Sequence, residues 1–258
     1  MIERGRFNTS SIDEAKPAVF DPAKIDPFLL GGGGKPALHE LVADGYGSQP
    51  SVRDFGLALA ASLLHRRQER QGMVLWCQRQ RDALEFGQPY GPGLRTLGLP
   101  PDRLLMVTGR RDADCLWAME QGLASRSLLA VIGAVDRVGL TASRRLSLAA
   151  RAHSTWCLLL PLRHGREPSA ARTRWRIRTA PSLPDTLDLK GLGLPSWELA
   201  LERSENGSTA RWIVEWDHAT HHFHLPATAA RRGGPDKDTG RNDPGRQAAD
   251  IIAFDRTG

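Results

Sequence analysis

A chain of 258 residues, 40% of them hydrophobic, is long enough to bury a sizeable core and reads as one large domain with tails. Its 35 Lys and Arg against 29 Asp and Glu leave a formal charge of +6, a mild excess that favours an acidic partner such as nucleic acid without requiring one. No apolar run approaches the roughly 18–20 residues of a membrane span, and Cys77, Cys115 and Cys157 lie in apolar segments without metal-type spacing, the pattern of reduced core thiols in a cytoplasmic protein rather than of a disulfide framework or metal site.

Residues 1–24 are polar and weakly periodic and read as a flexible leader, so the folded domain is expected over 25–226. GGGGKPALHELV feeds a first strand ending near Val42, and Leu57, Leu59, Ala60, Leu63 and Leu64 then supply a helical apolar stripe. The rhythm repeats: MVLWC as a strand, PGLRTLGL as a short helix, RLLMVT as a strand, DADCLWAMEQGLAS as a helix. LLAVIGAV has the length and continuity of a buried strand, TASRRLSLAARAH follows as a helix with Thr141 placed to cap it, and TWCLLLPL is again a strand. Short buried strands alternating with helices imply an α/β fold with a mostly parallel sheet covered on both faces. After Arg163 the pattern changes to strands alone, in ARTRWRIRTA, SWELALER, ARWIVEW and HHFHL, which read as an antiparallel extension. Residues 227–258, rich in Gly, Pro and charge, are expected to form a disordered tail. Within it DIIAFD at 250–255 is an apolar island, either a docking segment or a chance cluster.

The turn GYGSQPSVRD at 45–54 stands between the first strand and helix, where a nucleotide-binding protein keeps its phosphate loop. Such a loop uses backbone N–H groups to wrap phosphates, a Lys to reach them and a hydroxyl to ligate Mg²⁺, in the order G-x-x-x-x-G-K-[ST]. Counted from Gly45, Pro50 takes the second Gly position, Ser51 the Lys position and Val52 the hydroxyl position; proline offers no N–H, and the other two supply neither cation nor ligand. Counted from Gly47, Val52, Arg53 and Asp54 fill the same places, which keeps a cation but puts an acid beside it. The remaining reading is a structural turn with Ser51 at the helix N-cap and Asp54 three residues on, or a turn whose exposed amides meet an anion or a partner.

A mostly parallel sheet that opens on a Gly-bearing strand-to-helix turn and closes on antiparallel strands suggests a RecA-like core. LPPDRLLMVTGRRDADCLWAMEQGL, LTASRRLSLAARAHSTWCLLLPL, SAARTRWRIRTAPS and ARWIVEWDHATHHFHL resemble the bacterial ImuA family, over about residues 25–226. The resemblance implies a RecA-like accessory protein of damage-induced (SOS) mutagenesis. It would act in translesion synthesis beside ImuB, a polymerase-like protein, and an error-prone replicative-type DNA polymerase, with RecA-like self-association and DNA as further partners. Against a RecA core, the catalytic carboxylate position falls at Gln78, an amide that cannot act as a general base, and the metal-binding acid near Gly133, with Asp136 three residues beyond. No enzyme activity and no cofactor are therefore expected. The alternatives are a SulA-like inhibitor of cell division, which shares the fold, and an active DNA-dependent ATPase.

ARTRWRIRT puts Arg172, Arg174, Arg176 and Arg178 at period two, on one strand face, with Thr173, Trp175 and Ile177 on the other. With Arg163 and Arg166 just before it, this is either a cationic ridge for a phosphate backbone or acidic partner, or a solvated face over a core of Trp175 and Ile177. Arg66 and Arg67 in one helix and Arg144, Arg145 and Arg151 in another read as solvent-facing. His218, His221, His222 and His224 invite a zinc reading, but on a hairpin His221 would point away from His222 and His224, so exposed hairpin histidines are expected and no metal. Trp76, Trp117, Trp156, Trp197, Trp212 and Trp216 sit in apolar segments and are expected in the core or at an interface.

Overall fold

In the computed structural model, the described residues are 36–66, 72–125, 127–163, 168–182, 193–205, 207 and 209–226; the expected leader over 1–24 and tail over 227–258 lie outside them, as do Arg67 and Arg166. The strand β1 (Leu38–Ala43) leads through a 3₁₀ turn at Tyr46–Ser48 into α1 (Gln49–Arg66). β2 (Met73–Arg79) is followed at once by α2 (Gln80–Phe86) and α3 (Gly91–Thr96). β3 (Leu104–Gly109), α4 (Asp112–Ala124), β4 (Leu128–Val135), α5 (Leu140–His153) and β5 (Trp156–Pro161) complete the alternating part. β6 (Thr173–Thr179), β7 (Ser196–Ser204), β8 (Ala210–Asp217) and β9 (His222–His224) follow it.

These strands form one nine-stranded sheet in the order β3-β2-β4-β5-β1-β6-β7-β8-β9. Every pairing from β3 to β6 is parallel, and those of β6 with β7, β7 with β8 and β8 with β9 are antiparallel. The α/β class, the mostly parallel sheet and the antiparallel C-terminal strands are those the sequence implies, in the arrangement of a RecA-like core. The chain leaves β1 towards one face, where α1 packs on β1, β4, β5 and β6, and leaves β3 and β4 towards the other, where α4 and α5 lie. The helices that leave β1 and those that leave β3 and β4 thus lie on opposite faces, and the crevice this leaves at the carboxyl ends of the strands is where open α/β sheets place ligands. Among the described residues, no helix is long and apolar enough to cross a membrane.

The helix α1 departs from its expected one-sided stripe. Val52, Phe55, every residue from Leu57 to Leu63 and even Arg53 are buried. The far end of the sheet reaches α1, bringing Phe55 within 5.6 Å of Trp197 and 5.1 Å of Phe223, ring centre to ring centre. Leu94 and Leu99 join the same cluster. A helix apolar on all sides is a core helix, and Ala58, Ala60 and Ala61 let its neighbours approach closely. On the opposite face, a side-chain carbon at Gly133 of β4 would stand 2.1 Å from the sulfur of Met119, so α4 can lie on the sheet only over a glycine.

The structure corrects one local expectation, adds one helix and sets one tryptophan apart from the others. α5 begins at Leu140 with Gly139 at its N-cap, so Thr141 is already inside the first turn and caps nothing. QRDALEF, passed over in the sequence, is helical as α2 because Arg79 ends β2 in extended conformation and the helix starts without any intervening loop. Trp117 is 64% exposed whereas Trp76, Trp156, Trp197, Trp212 and Trp216 are buried. The inward face of α4 is already filled by Cys115, Ala118, Met119, Gly122 and Leu123, and at 3.6 residues per turn Trp117 falls opposite it. The three cysteines are free and buried, and burial pushes the Cys77 thiol up to about 12.

Candidate functional site

The crevice at the carboxyl ends of β1, β2 and β4 is where a phosphate loop and its catalytic partners would meet. The chain there forms a plain 3₁₀ turn closed by the Ser48 amide donating to the Gly45 carbonyl at 3.0 Å. Gly45 is extended, neither Gly45 nor Gly47 has positive φ, and a side-chain carbon at either would meet nothing within 4 Å. Neither position requires glycine, so the turn lacks the tight backbone wrap that makes glycine necessary in a phosphate loop. Helix α1 starts at Gln49, two residues before Ser51, which corrects the expected N-cap. Ser51 instead hydrogen-bonds Thr179 of β6, oxygen to oxygen at 2.7 Å, and its carbonyl accepts from the Trp197 indole at 3.2 Å. Pro50 is exposed, and Val52, in the position of a metal-binding hydroxyl, is a core residue 1% exposed.

Arg53, the cation of the second frame, points inward. It is 7% exposed, donates from Nη1 to Gln78 Oε1 at 3.2 Å, and lies 5.0 Å from the ring centre of Phe86 and 6.0 Å from that of Trp76. Burial pulls its pKa below the ordinary arginine value, against the field of Asp82. Gln78, fully buried, also accepts from the Trp76 indole at 2.9 Å, so the amide at the expected carboxylate position serves as a hydrogen-bonding hub.

The next residue, Arg79, closes the remainder of the crevice. Its guanidinium makes a two-pronged pair with Asp82 at 2.9 and 2.7 Å, and stands 3.5 Å from both Asp112 and Asp136. Asp112 also accepts from the backbone amides of Asp136 and Arg137 at 2.9 and 3.2 Å, and Arg163 reaches Asp136 at 3.3 Å. The hydrogen bond to Asp82, reinforced by all three carboxylates, holds the Arg79 pKa above the ordinary value against some desolvation. Three acids surround one guanidinium, so the charge between them is the protein's own. Asp82, Asp112 and Arg79 were not singled out from sequence, and only the acids that open α2 and α4 in QRDALEF and DADCLW hinted at them. Asp136, noted as a substitute for the metal-binding acid, lies one residue past β4 and faces Arg79 and Arg163.

The residues of β6 divide between two faces as their spacing implies. Trp175 and Ile177 are buried with Thr173, while Arg174, Arg176 and Arg178 lie on the other side. Arg172 precedes the strand by one residue. Each has a carboxylate partner: Arg172 with Glu205 at 3.3 Å, Arg174 with Glu40 at 2.7 Å, Arg176 with Glu202 and, at 3.9 Å, Asp44, and Arg178 with Glu198. The ridge is a ladder of ion pairs across β1, β6 and β7. Arg144, Arg145 and Arg151 are exposed as expected, the latter two paired with Glu120 and Glu205.

On the hairpin, Phe223 is buried between an exposed His222 and a half-exposed His224. His221 turns away with positive φ and stacks on His65 of α1, ring centres 4.0 Å apart, over Gly98, where any side-chain carbon would collide with the ring. His218 meets the Thr96 carbonyl at 2.9 Å. His218 and His221 thus fasten the hairpin to α3 and α1, a packing role that corrects their reading as simply exposed. Among the described residues, no three His, Cys, Asp or Glu side chains converge as metal ligands.

No family model matches the chain. It is 32% identical over 226 residues to Protein ImuA of Caulobacter vibrioides, in each of two strains, an alignment that covers 81% of this chain and 89% of each of those proteins.

Proposed function

The chain belongs to the ImuA family, and on that premise we propose that it is a non-catalytic accessory of damage-induced mutagenesis. It acts in translesion DNA synthesis beside an ImuB-like protein and an error-prone replicative-type DNA polymerase in the cytoplasm. The observation that carries this reading is the identity to Protein ImuA over most of both chains.

The non-catalytic part is supported by the contents of the crevice. A nucleotide hydrolase needs a base to orient water and a free cation to meet phosphate. Gln78 has no proton-accepting form near neutral pH, Arg79 is turned inward onto three carboxylates, and Arg53 is held by Gln78 and faces a cavity whose lining includes none of residues 45–49 of the turn. The arginines of β6 are matched by carboxylates on neighbouring strands. This reading therefore assigns the strand to holding the sheet together and leaves DNA to the partners.

The test is affinity capture of the tagged full chain from DNA-damaged cells of its own source. The reading expects a polymerase-like protein and a replicative-type polymerase to co-purify. Recovery of the tubulin-like division protein without polymerase components would replace it with the SulA-like alternative.

A further inference from the structure

Beside the crevice, a cavity of about 400 Å³ opens between α1 and the segment carrying α2 and α3. Its inner wall is aromatic, formed by Trp76, Phe86 and Trp197, with Tyr90 exposed at the rim. A volume in this range accepts one large side chain with its flanking backbone, or a small organic molecule. Arg53 lines it at 93% burial (7% exposed), and its Nε has no hydrogen-bond partner. Nη1 is held by Gln78, whose own Nε2 is likewise without a partner. Among the described residues, Arg53 makes no ion pair. A buried guanidinium that makes no direct ion pair, and feels a carboxylate only through the more distant field of Asp82, is costly, so a ligand that brings a carboxylate gains a charge-assisted hydrogen bond and removes that cost together. Asp54, exposed on the same wall, asks in addition for N–H donors.

We propose that this cavity binds a peptide segment of a protein partner in which an aromatic residue stands next to an acidic one. The ring enters between Trp76, Phe86 and Trp197, the carboxylate meets Arg53, and backbone N–H groups of the peptide face Asp54. A peptide is the ligand class that carries ring, carboxylate and N–H donors within one short stretch. The inference rests on the reading above, that the chain acts through protein partners, and gives that reading a site.

The test uses the full chain and a fluorescein-labelled nonapeptide with phenylalanine followed by aspartate at its centre, read by fluorescence polarisation. Binding is expected in the range up to about 100 μM, with at least about a tenfold loss when the peptide aspartate becomes asparagine. In Arg53→Met that peptide change has no further effect, because the two groups act as a pair. Gln88→Trp, a substitution on the exposed part of the lining that leaves the core untouched, blocks the peptide. Equal binding of the aspartate and asparagine peptides, or no binding at all, overturns the inference. So does equally tight binding of free N-acetylphenylalanine, which would assign the cavity to a small aromatic acid. Capture from damaged cells separates the two claims: if Gln88→Trp recovers the same partners as the parent chain, the cavity assignment fails and the accessory reading stands. If the parent chain recovers no polymerase component, the accessory reading itself fails.

Discussion

Arg79 stands within 3.5 Å of Asp82, Asp112 and Asp136, and Asp82 is 1% exposed. Removing that one cation leaves the buried Asp82 facing two partly exposed acids. Arg79→Met should cost about 3–5 kcal/mol at neutral pH, the usual effect of stripping one partner from a buried ion cluster, measured by urea unfolding. His39 gives a second residue-level prediction. It sits 1% exposed against Trp156, with Nδ1 at 2.8 Å from the Thr173 hydroxyl and Nε2 without a partner. Burial, helped by the charge of Arg172, lowers its pKa from 6.5 to about 3. The unfolded chain therefore takes up a proton near 6.5 that the folded one refuses until about 3. The neutral imidazole's contribution is complete above 6.5 and is lost as pH falls through that window, by about 1.4 kcal/mol per unit. His39→Asn should flatten the pH dependence of unfolding between 6.5 and 5 by that amount, and an unchanged slope would remove His39 from the account. At this scale the sequence was only partly legible. Val52 could be read as unfit to hold a metal from its chemistry alone. The Arg79 cluster could not, because its members come from three separate stretches, at 79–82, 112 and 136, that only the fold brings together. Nor could the direction of Arg53, which depends on Gln78 and Phe86 being beneath it.

Among elements, the order of strands and helices was legible because buried strands announce themselves as short continuous apolar runs. MVLWC, LLAVIGAV and WCLLLP were all found where expected. The all-round burial of α1 was not, since the wrapping of its outer side depends on a hairpin more than 150 residues away, fixed through Phe55–Phe223 and His65–His221. Helix starts were misplaced at Ser51 and Thr141 because a serine or threonine near a helix start satisfies a capping pattern whether or not the backbone begins there. The β6 ladder shows how position grades equal-looking charges. Glu40 is 5% exposed by side chain and pairs with an Arg174 that is 17% exposed, whereas Arg178 on the same strand is 53% exposed. Glu40→Gln should therefore cost roughly 3 kcal/mol, while Arg178→Gln should leave the unfolding midpoint unchanged. Equal effects from both would mean that the ladder acts as one surface network and not as a graded set of pairs.

At the level of the whole molecule, an α/β sheet of the kind that elsewhere carries nucleotide chemistry is retained with its crevice filled from within. The loop is a simple turn, Gln78 organises hydrogen bonds, and Arg79 occupies the space between three acids. On the proposed reading the carboxyl edge is a scaffold and not a nucleotide site. The most direct test is the thermal unfolding midpoint of the full chain with and without ATP and Mg²⁺. A ligand bound at about 10 μM and present at about 1 mM would add ~2.7 kcal/mol, which in a domain of this size raises the midpoint by roughly 5–10 °C. For a scaffold, no change in the midpoint is expected. A rise of that size, abolished by replacing Arg53 or Arg79, would contradict it.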